Sequence, residues 1–122
     1  MPSSQPRQRF CDIVENIDAI CEYTQGMSVD DYGANRLVRD AVERCFMRIS
    51  EAATTLDTEA EALAPNQPWR QIRELGNQIR HGYDGVDDKR IFNLIGERTD
   101  SLRADAIAAI AKLDTSHQAH DC

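Results

Sequence analysis

The stretch that decides the fold is residues 35–56, NRLVRDAVERCFMRISEAATTL, which contains no glycine or proline. Apolar side chains recur there at intervals of three and four residues, the spacing that places them on one face of an α-helix. Asn35 is a suitable N-cap, because its side-chain oxygen can accept a hydrogen bond from a free backbone N–H of the first turn. The sequence therefore predicts a helix from this cap to Leu56. Its buried stripe is predicted to be Val38, Ala41, Val42, Cys45, Phe46, Ile49, Ala52 and Ala53.

Segments on both sides of this helix carry the same periodicity. A first helix is predicted over residues 7–25, a third over residues 68–80 with Pro68 in its first position, and a last one from 87 to about 113. No segment shows the strict apolar–polar alternation of a β-strand. We therefore predict an all-α fold, an up-down bundle of four to five helices that is suited to dimerisation.

Two shorter helical turns are predicted between the main helices. Ser28 looks like the cap of a turn that ends at Tyr32, because Gly33 is expected to break it. Residues 57–64 are expected to add a loose turn before the proline-containing linker at residues 65–68.

The domain organisation follows from where the periodicity begins and ends. Residues 1–6 are predicted to be a disordered lead-in, residues 7–113 one helical domain, and residues 114–122 a flexible tail. The N-terminus has no apolar core of a signal peptide, and no run of about 18 apolar residues exists. We therefore expect a cytoplasmic protein with no membrane partner.

The charge balance limits the partners further. The chain has 21 acidic and 14 basic residues, for a formal net charge of −7. This balance argues against broad, nonspecific binding to a nucleic-acid backbone, but it permits a small basic site. The four cysteines have no CxxC spacing, and the only HxxH, His117 with His120, lies in the polar tail. No metal and no cofactor are therefore predicted.

Residues 73–83, RELGNQIRHGY, gather basic and polar side chains at the end of a predicted helix. Arg73, Asn77 and His81 fall at i, i+4 and i+8, so they share one helix face. Arg80 lies beside that face, and Tyr83 follows just past the helix end. A histidine with a near-neutral pKa, flanked by guanidinium groups and a phenol, is suited to proton transfer at a phosphate.

A structural interpretation of the same segment stays open. Arg73 and Arg80 are cations in the later turns of a helix, where the helix dipole favours positive charge. Asn77 and His81 would then satisfy backbone carbonyls at the helix end, and Tyr83 would be a half-buried packing residue.

Four motifs occur together in this chain: Trp69-x-x-Ile72, GNQIRHGYDGVD at residues 76–87, AVER at residues 41–44, and RISEAA at residues 48–53. Together they resemble the HepT-like family of HEPN proteins, the small toxin partners of minimal nucleotidyltransferase (MNT) antitoxins. The resemblance extends over residues 8–113.

The resemblance implies a helical bundle that forms a homodimer and cleaves RNA without a metal. The family motif, Arg-x4-6-His, lies at the dimer cleft, where the ribose 2′-hydroxyl attacks the adjacent phosphate. By position, the resemblance makes His81 the general acid or base and Asn77 its polar neighbour. It also makes Tyr83 the residue that the MNT antitoxin nucleotidylates (AMPylation), which would block the site.

The sequence departs from the family pattern at one position. Gly76 stands where the family has its arginine, five residues before His81. Arg80, one turn later, is expected to reach over the space that the missing side chain leaves. Arg73, one turn before Asn77, is the second candidate for the positive charge.

Three functions are therefore considered. The first is a HepT-type toxin, an endoribonuclease. The second is a non-catalytic helical docking or regulatory subunit of a nucleotidyltransferase, which the glycine at the arginine position favours. The third is a nucleotide or small-ligand sensor that uses the arginine cluster, although no glycine-rich phosphate loop supports it.

Overall fold

The computed structural model describes residues 5–82 and 87–115. This part of the chain contains helices and no strand, so the predicted all-α bundle is confirmed. The helices are α1 Pro6–Tyr23, α2 Val29–Ala34, α3 Arg36–Leu56, α4 Thr58–Leu63, α5 Trp69–His81 and α6 Asp88–Asp114.

The long helix α3 is the centre of the bundle. Its cap is as predicted, since Asn35 Oδ1 accepts a hydrogen bond from the Val38 N–H at 3.1 Å. Most of its predicted stripe is buried, including Val42, Phe46 and Ile49. Helix α3 packs against α1 on one side and α5 on another, and α1 also packs against α6.

The short helix α2 differs from its prediction. Ser28 and Asp31 form the expected capping box, but Gly33 lies inside the helix and does not break it. Glycine costs a helix only about 1 kcal/mol relative to alanine. The fully buried Tyr32, whose ring lies 5.4 Å from that of Phe92, stabilises α2 against this cost.

The entry to α5 is fixed by its first residue. Pro68 is the N-cap rather than the first helical residue that the sequence predicts. Trp69 is buried, its indole Nε1 donates to the carbonyl oxygen of Ala64 at 2.7 Å, and its ring meets Phe10 edge-on at 6.3 Å. The linker before α5 therefore has a defined path.

The last helix runs antiparallel to the first. The guanidinium of Arg7 binds Asp114, with its closest contact at 2.7 Å, and that of Arg103 binds Asp18 at 2.7 Å. None of the helices in the described ranges is both long enough and apolar enough to span a membrane.

The predicted domain limits are only partly open to inspection. Pro6, which the lead-in was predicted to include, is the first residue of α1, and α6 continues to Asp114. Residues 1–4 and 116–122, with most of the predicted lead-in and tail, lie outside the described residues. The predictions for them stay predictions.

Candidate catalytic site at the end of helix α5

The candidate site occupies the last two turns of α5. The helix ends at His81 because Gly82 takes a left-handed conformation, with φ of 62°, which glycine adopts without steric cost. The Gly82 N–H bonds to the carbonyl oxygen of Ile79 at 3.2 Å, which closes the final turn. The histidine is therefore placed at the very end of a rigid element.

Three of the predicted residues share the outer surface of this end. Asn77, Arg80 and His81 are all exposed. The guanidinium Nη1 of Arg80 donates to Asn77 Oδ1 at 3.1 Å, so these two side chains meet across one helical turn. His81 lies one turn beyond Asn77, where side chains four residues apart are neighbours.

The three arginines of α5 differ in their partners. Arg70 pairs with Glu74 at 3.2 Å, and Arg73 pairs with Glu61 at 2.7 Å. Arg80 makes no ion pair with any residue in the ranges 5–82 and 87–115, and its described partner is the neutral amide of Asn77. Of these three guanidiniums, that of Arg80 has its full positive charge available for an anion.

Arg73 does not join the other three, although it shares their helix face in the sequence pattern. Its side chain turns to the junction of α3 and α4, where it donates to the carbonyl oxygens of Ala53 at 3.1 Å and Asp57 at 2.9 Å. Two further bonds, at 3.0 and 2.7 Å, reach the carboxylate of Glu61. A role at a phosphate would require Arg73 to leave all four hydrogen bonds.

The Arg73–Glu61 pair also shifts the acidity of both groups. The hydrogen bond from Arg73 lowers the pKa of Glu61 below its usual value. The same bond raises the pKa of Arg73, because it stabilises the charged form. The pair is thus a charged link between α4 and α5.

Gly76 is the position where the structure corrects the sequence interpretation most clearly. We expected a missing side chain there to leave a space over which Arg80 could reach. The residue is instead buried at the crossing of α3 and α5, and a Cβ built on it would lie 2.6 Å from the Ser50 Cβ. No such space exists, because Ser50 fills it.

Ser50 is the residue that sequence reasoning missed. It is a buried polar residue on α3, and its hydroxyl donates to the carbonyl oxygen of Ile72 at 2.6 Å and accepts from the Gly76 N–H at 2.9 Å. A serine within an otherwise apolar stripe was the available signal, since a buried hydroxyl needs a partner. Its two bonds fix α5 against α3 next to the site.

The remaining predicted residue, Tyr83, lies outside the described residues, as do His117 and His120 of the tail. Its proposed modification stays a prediction. The roles of His81, Asn77 and Arg80 in catalysis also stay predictions, although the structure places these three side chains on one surface.

Comparison with known proteins shows the family. The family model described as "Ribonuclease HepT-like" matches residues 13–109. A protein of Thermococcus cleftensis named "Probable ribonuclease HepT" is 29% identical over 92 residues, which cover 75% of this chain and 84% of that protein. A protein of Methanocaldococcus jannaschii named "Putative RNase MJ1380" is 26% identical over 92 residues, with the same coverage of 75% and 84%.

No solved structure is significantly similar to the chain. The family match spans more than half of its residues and includes the whole of α5. By this match, which supports a ribonuclease type of function, the chain belongs to the HepT-like ribonuclease family.

Proposed function

We propose that this protein is a HepT-type toxin, a metal-independent endoribonuclease that acts in the cytoplasm and uses His81 for proton transfer. The observation that carries the proposal is the exposed surface formed by Asn77, Arg80 and His81, on which Arg80 has no carboxylate partner among the described residues. In a chain of net charge −7, an arginine left available beside a histidine is a specific place for a phosphate.

The reaction proposed is transfer of the phosphate to the neighbouring ribose oxygen. His81, as general base, removes the proton of the 2′-hydroxyl, whose oxygen then forms a bond to the adjacent phosphorus. The bond from phosphorus to the 5′-oxygen breaks, which leaves a 2′,3′-cyclic phosphate and a 5′-hydroxyl. Arg80 stabilises the negative charge that develops on the phosphate oxygens, and Asn77 orients Arg80.

The leaving 5′-oxygen needs a proton from a second acid. A homodimer that brings two copies of this surface together would supply it from the partner's histidine. Because His81 is exposed at the end of α5, a second copy would also shield the reacting phosphate from water.

Regulation by a partner is part of the proposal. An MNT-type nucleotidyltransferase antitoxin would silence the toxin by transferring a nucleotide to Tyr83, two residues after His81 in the sequence. The adduct would bring a negatively charged phosphate next to the site, where it would repel the phosphate of an RNA.

The test is RNA cleavage by the purified, unmodified protein, beside the variants His81→Ala and Arg80→Ala. We expect cleavage in the presence of EDTA, a cyclic phosphate product, and a loss of at least about a hundredfold in His81→Ala. Arg36→Ala is the control, since Arg36 is an exposed arginine on α3 that pairs with Asp40, away from this surface. It should cleave as wild type does.

A His81→Ala variant that cleaves as fast as wild type would refute the catalytic assignment. If Arg80→Ala kept full activity and a folded Arg73→Ala lost it, the role of stabilising the charge on the phosphate would belong to Arg73.

The second candidate function is a non-catalytic docking subunit of a nucleotidyltransferase. The tight contact at Gly76 favours it, because it leaves no room for an arginine at the family position. This candidate predicts no cleavage even at high protein concentration, together with a stable complex with the nucleotidyltransferase in size-exclusion chromatography.

A further inference from the structure

Helices α5 and α6 enclose a groove that the proposed reaction does not use. Helix α5 packs closely on α3 but touches α6 little, and a groove of about 350 Å³ lies between the two helices. Its apolar floor includes Phe46, Ile72, Leu75 and Leu94. The volume lies within the roughly 300–1,000 Å³ of small-molecule sites, which are lined in the same way by apolar side chains with a few polar groups.

Hydrogen bonds between the two sides close both ends of the groove. At one end the Gln67 amide donates to Ser101 at 2.9 Å and to Asp105 at 2.7 Å. At the other end Arg90 donates to the Gln78 side-chain oxygen at 3.4 Å. The two ends are about 15 Å apart along the helix. A helix of a second copy would have to break both bridges to lie in the groove, so a compact ligand fits better.

Two polar side chains line the groove without a partner in the described ranges. Gln71 on α5 and Arg98 on α6 are both exposed, and neither makes a hydrogen bond or ion pair with another described residue. Glu74 also lines the groove but is paired with Arg70, and Glu97 is the remaining carboxylate there. Beside these two carboxylates, the groove therefore offers the amide of Gln71 and the guanidinium of Arg98, both without a partner among the described residues, above an apolar floor.

We propose that this groove binds one nucleotide of a single-stranded RNA. A nucleobase has flat apolar faces and a polar edge, which match the floor and the Gln71 amide. Arg98 has no acidic partner among the described residues, so its guanidinium can bind the negatively charged phosphate of a nucleotide. The choice of RNA as the source of the nucleotide rests on the proposed function.

The Gln78 end of the groove lies near the candidate catalytic surface along α5. Gln78, which helps to close one end, directly follows Asn77 in α5 and lies less than one turn before His81. A strand with its cleaved phosphate at His81 would thus place a neighbouring nucleotide at the groove. Arg98 and Gln71 are then specificity residues that hold the strand without taking part in proton transfer.

The test is binding of 5′-AMP, 5′-UMP and a short single-stranded RNA with 2′-O-methyl riboses, which cannot be cleaved. Calorimetry and fluorescence anisotropy measure the affinities of wild type, Arg98→Ala and Leu94→Trp. We expect Arg98→Ala to weaken binding by up to about fivefold and to reduce its salt dependence. Leu94→Trp, whose indole fills the groove, should weaken binding more than about tenfold.

Arg36→Ala is the matched control. Arg36 is an exposed arginine at the start of α3, paired with Asp40 and absent from the groove. Its variant should bind as wild type does. Should circular dichroism show that Leu94→Trp does not fold, Gln71→Ala replaces it, with an expected loss of about threefold in affinity.

Unchanged affinity in both Arg98→Ala and the groove variant would overturn the inference, as would the absence of any binding to wild type. A change in oligomeric state in Leu94→Trp, with nucleotide affinity unchanged, would instead make the groove an interface between copies. In an active enzyme, Arg98→Ala should raise KM and leave kcat unchanged. Nucleotide binding in the groove of a protein that cleaves no RNA would refute the proposed function and retain this inference.

Discussion

Helix α5 has two very different sides. Toward α3 its backbone approaches so closely that Gly76 has no space for a Cβ, and the Ser50 hydroxyl bonds to it directly. Toward α6 it leaves an open groove, whose ends are crossed by the bridges at Gln67 and Gln78. The difference teaches that contacts on the α3 side hold α5 in position, whereas the groove side and the exposed surface are left available for ligands.

The largest expected effect on stability comes from a substitution at the close contact between α5 and α3. Gly76→Arg, which places the family residue at its family position, should lower the free energy of unfolding by about 3 kcal/mol or more, because the side chain must displace α3. Urea denaturation measures the change. A variant as stable as wild type would show that α5 can move away from α3 at no cost.

A smaller replacement at the same contact distinguishes steric overcrowding from the loss of the Ser50 hydrogen bonds. Gly76→Ala alone should destabilise by about 1–3 kcal/mol from overcrowding. Adding Ser50→Gly, which removes the opposing Cβ, should recover part of this loss, whereas adding Ser50→Ala, which keeps that Cβ, should not. Equal recovery in both double variants would contradict a steric cause.

The second effect concerns the anchor one turn earlier. Arg73→Met removes two hydrogen bonds from α5 to carbonyl oxygens at the end of α3 and two to Glu61 of α4, and we expect a loss of about 1–2 kcal/mol. Arg70→Met, which breaks one exposed pair on the same helix, should cost less than about 0.5 kcal/mol. Comparable losses in both variants would mean that the Arg73 contacts add nothing beyond an ordinary surface pair.

The smallest effect is a pH dependence that comes from the same anchor. Arg73 lowers the pKa of Glu61 in the folded state, so the pair stabilises the fold above the unfolded pKa of glutamate. This stabilisation is lost as the pH falls through the lower, folded pKa. Since the pair is partly exposed, it should amount to less than about 1 kcal/mol.

This pH dependence is measured by comparing the stability of wild type with that of Glu61→Gln. Between about pH 5 and pH 3 the stability of wild type should fall more steeply than that of the variant, because the amide does not titrate. Identical slopes would mean that Glu61 has the same pKa in both states.

The helical framework was largely readable from the sequence. Apolar spacing and the cap at Asn35 predicted α3 to within a residue, and the other long helices agreed within about two residues at the ends that the structure describes. Gly33 was the clear exception, since its effect on α2 depends on the burial of Tyr32 against a distant residue. Local propensity cannot register such a contact.

The candidate site, too, was predicted in part from the sequence and decided in part by the tertiary structure. The sequence by itself determined the helix face that carries Asn77 and His81, because a period of 3.6 residues fixes which side chains are neighbours. It also supplied the family resemblance. Only the tertiary structure decided the parts that arginines and small residues play. Arg73 turns inward because carbonyl groups from α3 lie within its reach, Gly76 is buried because Ser50 faces it, and Arg80 stays available because no described carboxylate approaches it. These outcomes depend on groups far apart in the chain, whose distances the order of residues does not contain.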